Sequence, residues 1–421
     1  MQIETIAIEN YRLFRKAILR NLPRMCVVVG ANGSGKSTLF DVFSFLKDAL
    51  AQNVNEAVAR RGGFRELVSR GQSGPIRIEL KFRESGGRLA TYELQIAAEA
   101  GRSVVQREIL KLHRDSYSTP MHLVDFSRSR GSAIINEAVH RQNEAVHGQD
   151  GVKDERKEYA LNDPSVLAIK GLGQFKEFRV ASEFRSMIEN WHISHFDISR
   201  ARQSTKAGHA EHLSAHGENV AQVVQYMFEH HRERFNQVLE LMRRRVPGLT
   251  HVEAKATEDG RLILRFQDDT FKDPFLSRHV SDGTIKMFAY LLLLHDPRPH
   301  PLLAVAEPEN QLYPELMQEL AEEFRDYARR GGQVFVSTHS PDFLNGVRLE
   351  EIYWLVKRDG FTSVHRASES ETLRNLVEAG DLPGQLWQQG LFEVPSHDDG
   401  MASILPDTRQ EPQEPQWGPA V

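Results

Sequence analysis

The chain has 421 residues, of which 40% are hydrophobic and 26% charged, and its formal net charge is −5. These values are ordinary for a globular protein and exclude an overall basic field of the kind that attracts nucleic acid, although local basic patches can hide in the sum. The single cysteine, Cys26, excludes an internal disulfide and favours a reducing compartment. No apolar run approaches the roughly 20 residues of a membrane span, and no leader pattern precedes the first strand pattern. We therefore expect a soluble, cytoplasmic protein with no membrane partner.

The first hundred residues are predicted to contain several strands and one long helix. Alternating apolar and polar residues at 3–8 are typical of a half-buried strand, and the apolar run at 25–29 predicts a buried one. A helix is expected at 37–50, where apolar residues recur at helical spacing. Two alternating segments within 76–97 flank residues 84–87, which predicts a hairpin.

The middle of the chain, rich in Arg, His, Gln and Asp, has a less regular pattern. We expect a strand near 104–113 and a solvated loop at 140–157. An amphipathic pattern predicts one helix over 219–246. A strand is predicted at 262–266.

The C-terminal part alternates helices and strands. In chain order we predict a helix from Ser281, a buried strand at 301–305, a helix at 314–330, a buried strand at 334–337 and a hairpin of strands 352–356 and 362–366. Beyond about residue 395 the chain becomes rich in Pro, Gln and Asp, which predicts disorder. The absence of a sustained heptad pattern argues against a long coiled-coil arm.

Residues 30–37 read Gly-Ala-Asn-Gly-Ser-Gly-Lys-Ser and match G-x-x-x-x-G-K-[ST] in full. In such a loop the backbone N–H groups surround a phosphate, and the following helix directs its positive end at the anion. Lys36 would neutralise the β- and γ-phosphates, Ser37 would ligate Mg²⁺ and Thr38 would donate to the α-phosphate. The predicted strand before the loop and helix after it make a glycine turn without function a weak alternative. The predicted ATP-binding residues are Gly30, Asn32, Gly33, Ser34, Gly35, Lys36, Ser37 and Thr38.

Two strands further along the chain end in residues that could act on a phosphate. Residues 302–310 read Leu-Leu-Ala-Val-Ala-Glu-Pro-Glu-Asn, and Glu307 lies where a general base would polarise an attacking water. Residues 334–339 deliver His339 at the polar end of an apolar strand, where it could contact a γ-phosphate. Each residue alone would more often be a solvated side chain at a strand end, and the phosphate loop upstream favours a catalytic role for both.

Residues 280–284 read Val-Ser-Asp-Gly-Thr and open a predicted helix. Ser281 as the residue that caps the helix N-terminus explains much of this pattern locally. Capping does not require Gly283, which would allow close approach of a phosphate to a second helix N-terminus. We therefore count Ser281 and Gly283 among the candidate nucleotide-binding residues.

In this order the motifs resemble the ABC-type ATPase heads of the RecF and structural-maintenance-of-chromosomes (SMC) group, including small bacterial AAA-family ATPases related to RecF and to the OLD family. The resemblance covers roughly residues 1–50 and 275–392. It implies an α/β fold of the P-loop NTPase type with an ABC-type two-lobed head. Such a head combines a mixed β lobe, a parallel-sheet core and a helical lobe. The implied plan is one head over 1–394 and a disordered tail at 395–421. Within the head, 1–100 and 262–394 form the nucleotide-binding core and 101–261 an inserted β/helical lobe.

The resemblance also implies roles for the motifs. Residues 30–38 would be the Walker A loop, 302–307 the Walker B strand, 281–284 the signature, 309–312 the D-loop and His339 the switch histidine. The signature of one copy would complete the ATP–Mg²⁺ site of another, so that two nucleotides are buried in a head-to-tail homodimer. No residue matches the family's adenine-packing position, and Gln174 is only a tentative match for the Q-loop glutamine.

One departure from the family pattern concerns Ala306, since the family has Asp or Glu immediately before the catalytic glutamate. Without that carboxylate the magnesium shell loses a partner, and such losses cost roughly tenfold or more in metal affinity or activity. Three accounts are compatible with the sequence: a slow hydrolase, compensation by Glu309 or another carboxylate, or an engineered change that traps the ATP-bound form.

The resemblance leaves the use of ATP open. One hypothesis is a regulatory ATPase that holds or releases a separately encoded effector, such as a nuclease or toxin, as in anti-phage defence modules. The alternative is an ATPase clamp that binds DNA in repair or recombination. The negative charge and the lack of a coiled-coil pattern favour the first slightly. A transporter ATPase is less favoured, because the insertion between Walker A and signature is long.

Three further features are ambiguous in the sequence. His209, His212 and His216 have the spacing of metal ligands on a helix, but Gly208 and Gly217 beside them favour a polar loop. The pair His230–His231 is expected on the polar face of a helix. Arginines at 60–70 and 243–245 could contact phosphates, although ordinary basic helix ends look the same.

Overall fold

The structure is a computed structural model that describes residues 1–113, 120–135 and 155–392. The strands are β1 Gln2–Tyr11, β2 Phe14–Leu19, β3 Met25–Gly30, β4 Ile76–Arg83, β5 Leu89–Glu99, β6 Arg102–Leu112, β7 Met121–Ser127, β8 Arg130–Ile135, β9 Glu155–Ala160, β10 His192–Ser194, β11 Thr205–Lys206, β12 Leu249–Ala256, β13 Arg261–Asp268, β14 Phe275–Leu276, β15 Leu302–Ala306, β16 Gln333–Thr338, β17 Ile352–Arg358 and β18 Phe361–Arg366. The helices are α1 Lys36–Ala51, α2 Val54–Ala59, α3 Phe64–Leu67, α4 Ala168–Leu172, α5 Arg179–Glu189, α6 Ile198–Ala201, α7 Val220–His230, α8 Arg232–Arg245, α9 Asp282–Leu294, α10 Met317–Arg329, α11 Pro341–Asn345, α12 Glu371–Glu378 and α13 Pro383–Gln388.

The core sheet has six strands in the order β10-β15-β16-β3-β17-β18. All neighbours from β10 to β17 pair in parallel, and only β18 is antiparallel. Strands β3 and β16 are buried along their whole length, which explains why they read as continuous apolar runs in the sequence. Because parallel strands present their carboxyl ends at one edge, this topology brings Gly30, Ala306 and Thr338 to the same edge of the sheet. The α/β fold class is confirmed.

An antiparallel sheet of eight strands forms the β lobe, in the order β2-β1-β4-β5-β6-β7-β8-β9. The predicted hairpin is present as β4 and β5, whose turn is closed by hydrogen bonds between Glu84 and Arg88. The strand predicted near 104–113 is β6. Of the solvated loop predicted at 140–157, residues 155–157 belong to β9, and the rest lies outside the described residues, as does the predicted disordered tail.

The helical lobe combines a small sheet of β11, β13, β12 and β14 with α7, α8 and α9. The single helix predicted over 219–246 is wrong, because the chain breaks at His231 into α7 and α8. The apolar stripe stays in phase across the break, from Val224 and Met227 to Phe235, so the periodicity could not reveal it. His231 occupies the position where that stripe needs an apolar residue, and it leaves the helical conformation with φ −137° and ψ 47°.

The remaining predicted elements are present with small shifts of their ends. The helix predicted from residue 314 begins with a short 3₁₀ turn, Pro314–Leu316, and continues as α10. The longest helix described is α1, with 16 residues. Among the described residues, no helix combines the length and the apolar character needed to cross a bilayer.

Candidate functional site

The phosphate loop connects the end of β3 to the start of α1. Gly33 and Gly35 adopt positive φ of 75° and 108°, which residues with side chains rarely do. A Cβ on Gly30 would lie 2.4 Å from the Ser34 Oγ and 2.8 Å from the Leu355 carbonyl oxygen. Close packing therefore requires glycine at position 30, whereas Gly33 has open space around it and is required by its backbone conformation alone.

The hairpin of β17 and β18 holds this loop in place. Thr362 Oγ1 donates to the Ser34 carbonyl oxygen at 2.7 Å, and the Thr362 N–H donates to Leu13 at 2.9 Å. A Cβ on Gly35 would lie 2.9 Å from the same Thr362 hydroxyl. Thr362 is a supporting residue that the loop motif alone could not reveal, because it is more than 300 positions away in the sequence.

The side chain of Lys36 folds back over the loop. Its residue is only 6% exposed, and its Nζ donates to the carbonyl oxygens of Gly30 at 2.7 Å and Ala31 at 3.2 Å. Burial lowers the pKa of Lys36, while the nearby carboxylates of Glu307 and Glu309 act in the opposite direction. The Ser34 Oγ is buried beside it without a hydrogen-bond partner. The loop thus presents a buried ammonium and a free hydroxyl, which are donors that suit an anion.

Glu307 and His339 are brought together at the ends of the adjacent strands β15 and β16. Glu307 Oε1 lies 3.4 Å from His339 Nε2, and Oε2 accepts a hydrogen bond from the Asn310 amide at 3.0 Å. The backbone of Glu307 has a positive φ of 48°, and its N–H donates to Ser337 at 2.8 Å. This left-handed conformation turns the chain sharply where β15 ends, with the Glu307 side chain partly exposed.

Glu309 is more deeply involved at this edge than the sequence indicated. Its Oε1 accepts hydrogen bonds from Thr338 Oγ1 at 2.9 Å and from the His339 N–H at 2.6 Å. Its Oε2 is buried and has no hydrogen-bond partner. A buried carboxylate oxygen without a partner is costly, so each such case needs an explanation. From the sequence, Glu309 was one candidate to compensate for Ala306, but its contacts with Thr338 and His339 could not be predicted.

Ala306, in contrast, is exposed at the same edge, opposite Ser337 in the pairing of β15 with β16. No carboxylate is present at position 306, so the acidic side chains on this turn are those of Glu307 and Glu309. Ser37 is exposed at the start of α1, as a ligand at the rim of a phosphate site needs to be.

Helix α9 is attached to this turn by a buried lysine. Lys286 Nζ donates to the Asn310 carbonyl oxygen, and burial lowers the pKa of Lys286 to about 8, while Glu309 and Glu307 oppose that shift. A Cβ on Gly283 would lie 2.9 Å from the Gln311 carbonyl oxygen. Gly283 is therefore required by packing within the chain, a reason that the sequence pattern did not disclose.

Ser281 caps α9 as expected, since its Oγ accepts a hydrogen bond from the Thr284 N–H at 3.2 Å. The residue is exposed. In the described parts of the chain, no hydrogen bond joins Ser281 or Gly283 to residues 30–38. Ser281 is thus accessible at the N-terminus of α9, whereas Gly283 packs against Gln311 of the same chain.

Gln174 does not lie at this edge of the sheet. It follows α4, is exposed, and donates its amide to the Lys170 carbonyl oxygen at 3.1 Å. The strand that pairs with β15 on the side away from β16 is β10, and His195 follows it. This three-residue strand was not predicted from the sequence.

The arginines considered as phosphate contacts are largely used inside the chain. Arg61, with a side chain only 8% exposed, pairs with Asp41 and Asp48, both at 2.8 Å. Arg245, 5% exposed, pairs with Glu319 at 2.9 Å and with Glu323 at 3.0 Å. These pairs favour a structural role for both arginines.

The sequence profile of the family described as "AAA domain, putative AbiEii toxin, Type IV TA system" matches residues 25–345. A stretch of 74 residues is 34% identical to the DNA replication and repair protein RecF of Idiomarina loihiensis. That stretch covers 18% of this chain and 19% of the RecF protein, so the two share about a fifth of their lengths.

Two solved SMC heads share the fold. One is an SMC head bound to the C-winged helix domain of ScpA, with a TM-score of 0.54 and 13% identity over 87% of this chain and 98% of that chain. The other, derived from Pyrococcus furiosus, is an SMC head with an extended coiled coil bound to the C-terminal domain of ScpA. Its TM-score is 0.53, with 12% identity over 90% of this chain and 99% of that chain. At such identity the likeness shows the fold alone, which is that of an ABC-type P-loop NTPase.

Proposed function

Since this chain belongs to the AAA-domain family that matches residues 25–345 and is an ATPase of the RecF- and SMC-like type, we propose that it binds ATP at residues 30–38 and forms a head-to-tail homodimer around it. In this proposal the ATP-bound dimer holds or releases a separately encoded effector protein. The observation that carries ATP binding is the buried ammonium of Lys36, which donates only to carbonyl oxygens of its own loop. A phosphate would replace those neutral acceptors with charged ones.

The loop fits a magnesium-bound triphosphate. The unpartnered Ser34 Oγ and the free N–H groups at the start of α1 can donate to phosphate oxygens, and Lys36 can hold the β- and γ-phosphates. Ser37 would be the protein ligand of Mg²⁺. When bound, Mg²⁺ would neutralise charge that develops on the phosphates during hydrolysis.

We assign the attack of water to Glu307. Its carboxylate is partly exposed at the end of β15, where it can accept a proton from a water positioned near the phosphates. His339, 3.4 Å away, would hold the Glu307 carboxylate in position and contact the γ-phosphate. The Asn310 amide fixes the second carboxylate oxygen.

The missing acid at position 306 is explained best by compensation through Glu309. Thr338 and the His339 N–H hold one oxygen of Glu309, which leaves the buried Oε2 without a partner. In the proposed site that oxygen would support the magnesium shell. The explanation of a slow hydrolase then becomes unnecessary.

Dimerisation is supported by what the chain leaves exposed. Ser281 is exposed at the N-terminus of α9, where a helix favours a negative charge. Tyr313, 63% exposed, directly follows the segment 309–312. A large aromatic side chain with that exposure is the kind of residue that interfaces bury, and a second copy placed head to tail would cover this region.

A DNA clamp is the second candidate, and the observation that favours it is the stretch shared with a RecF protein. The use of Arg61 and Arg245 in internal ion pairs removes two of the positive charges that such a clamp would need. We therefore place the regulation of an effector first.

The test is light scattering of the full chain with and without ATP, combined with Ser281→Arg. The wild type should become a dimer on ATP, whereas Ser281→Arg should stay monomeric yet keep its own ATP binding, because Ser281 serves the partner's nucleotide. Ser73→Arg, a change at an exposed serine before β4, is the matched control and should dimerise normally. Dimers of Ser281→Arg that persist at wild-type levels would refute the signature role. ATP-dependent, salt-sensitive binding to duplex DNA would move the clamp to first place.

A further inference from the structure

A cluster of histidines and an aspartate lies at the amino ends of β10 and β15, opposite the edge that holds the phosphate loop. One ligand atom each from His212, Asp296 and His300 lie within 4.8 Å of one another. Residues 301–305, at about 3.3 Å each, separate His300 from Ala306, so the cluster is a distinct place from the nucleotide site.

From this cluster we infer a binding site for a divalent transition metal of the Zn²⁺ class, with His212, Asp296 and His300 as its ligands. Two imidazoles and a carboxylate form a donor set that zinc accepts, and a water would take the fourth position of a tetrahedral site. Imidazole ligands also select against Mg²⁺, which prefers oxygen donors.

The orientation of His300 is the strongest support. Its Nδ1 lies 3.1 Å from the Asn190 carbonyl oxygen. Because a carbonyl oxygen only accepts hydrogen bonds, Nδ1 must be the protonated nitrogen, which leaves the Nε2 lone pair for a metal. That Nε2 is buried and has no hydrogen-bond partner. A histidine whose other ring nitrogen donates to a backbone carbonyl is the usual arrangement around a bound metal.

Asp296 is also prepared for a ligand role. It is only 4% exposed, and its Oδ1 accepts a hydrogen bond from the Arg298 N–H at 2.8 Å. Its Oδ2 lies 2.6 Å from His212 Nδ1. Two ligands of a tetrahedral zinc at 2.0–2.1 Å lie about 3.3 Å apart, so the pair would need to separate by less than an ångström to admit the ion. The proton that His212 and Asp296 share would leave to solvent as the metal binds.

His192 packs against the cluster but is not one of the proposed ligands. It is 6% exposed, its ring stacks on His300 with centroids 4.9 Å apart, and its Nε2 is buried without a partner. This stacking holds the plane of the His300 imidazole from one side.

A metal ion could reach the cluster from solvent, and it would link two segments of the chain. His212, His300 and Arg298 line an open cleft of about 690 Å³ that reaches the cluster. His212 comes from the loop before α7, whereas Asp296 and His300 lie within the connection from α9 to β15. The ion would therefore join two segments 84 residues apart at the connection between the signature helix and the strand that carries Glu307.

The experiment is a metal titration of the full chain after removal of metals with a chelator. We expect one Zn²⁺ per chain, a higher melting temperature with Zn²⁺, and with Co²⁺ the visible absorption bands of a tetrahedral site. Loss of an outer-shell partner weakens metal binding by roughly 10- to 100-fold, so His212→Gln, which removes a direct ligand, should weaken it by more.

His209→Gln and His216→Gln are the controls, because these histidines share the loop but not the cluster, and both should bind zinc as the wild type does. Lys36→Ala should also keep zinc, which separates this site from the nucleotide site. His300→Gln is the second ligand variant, and retained ATP binding shows that each variant is folded. The proposal is overturned if the wild type takes up no stoichiometric Zn²⁺ at micromolar concentrations. It is equally overturned if either ligand variant binds as the wild type does, or if a control loses as much affinity.

Discussion

The loop at residues 30–38 and the turn at residues 306–310 lie at the same edge of one sheet, but they are built differently. The loop can be recognised from its own consecutive residues, and within them Lys36 lies over the Gly30 and Ala31 carbonyl oxygens. The turn depends on other elements, since Glu309 is held by Thr338 and His339 of β16 and its end, and Asn310 by Lys286 of α9. A local motif can therefore identify the loop, whereas the turn can be understood only in the folded chain.

If this contrast holds, ATP binding at the loop should depend strongly on the positive charge of Lys36. Lys36→Ala should weaken ATP binding below the measurable range, because removing one partner of a buried charged contact costs about 2–5 kcal/mol, or up to roughly 5,000-fold in affinity. Calorimetric titration with a non-hydrolysable ATP analogue measures the effect. Lys16→Ala, at a lysine whose side chain is 68% exposed, is the control and should bind normally. Micromolar affinity in Lys36→Ala would count against the loop as the ATP site.

The turn offers the second test, since it should control hydrolysis without controlling binding. Glu309→Gln should keep ATP affinity and lower the hydrolysis rate by roughly 10- to 100-fold, as expected for a residue that supports a metal shell. The amide can still accept the hydrogen bonds from Thr338 and His339 but carries no negative charge. Phosphate release at saturating ATP and Mg²⁺ gives the rate.

Two variants calibrate that measurement. Glu307→Gln should lose more activity than Glu309→Gln, since it removes the proposed base, and Glu315→Gln, at an exposed acid just beyond the turn, should be unaffected. If Glu309→Gln hydrolyses ATP at the wild-type rate, the buried, unpartnered Oε2 of Glu309 has no role in hydrolysis.

The same contrast explains how much the sequence could predict. The loop, the apolar strands β3 and β16 and the cap at Ser281 follow from consecutive residues, and the structure has them where expected. The break at His231 was missed because the apolar stripe continues in phase through it. Strand β10 was missed because three residues are too few to show a period.

Contacts between distant segments account for the other omissions. Thr362 supports the phosphate loop, and His212 meets Asp296, through pairings that no local pattern encodes. His212 also shows how spacing misleads, since the interval of three and four residues between His209, His212 and His216 predicts a shared helical face. The three residues lie in a loop, as their flanking glycines indicated, and only His212 belongs to the proposed metal site.

The smallest expected effect comes from restoring the acid that the family has before Glu307. Ala306→Asp should raise hydrolysis only modestly in the wild type if Glu309 already supports the magnesium shell. In a Glu309→Gln background the same change should recover most of the lost rate, roughly tenfold or more, because the new carboxylate replaces the absent one. The non-additivity of the two changes, measured as a double-mutant cycle, is the quantity of interest. An equal gain in both backgrounds would mean that positions 306 and 309 act independently, and Glu309 would then be a structural partner of β16 rather than a substitute for the missing acid.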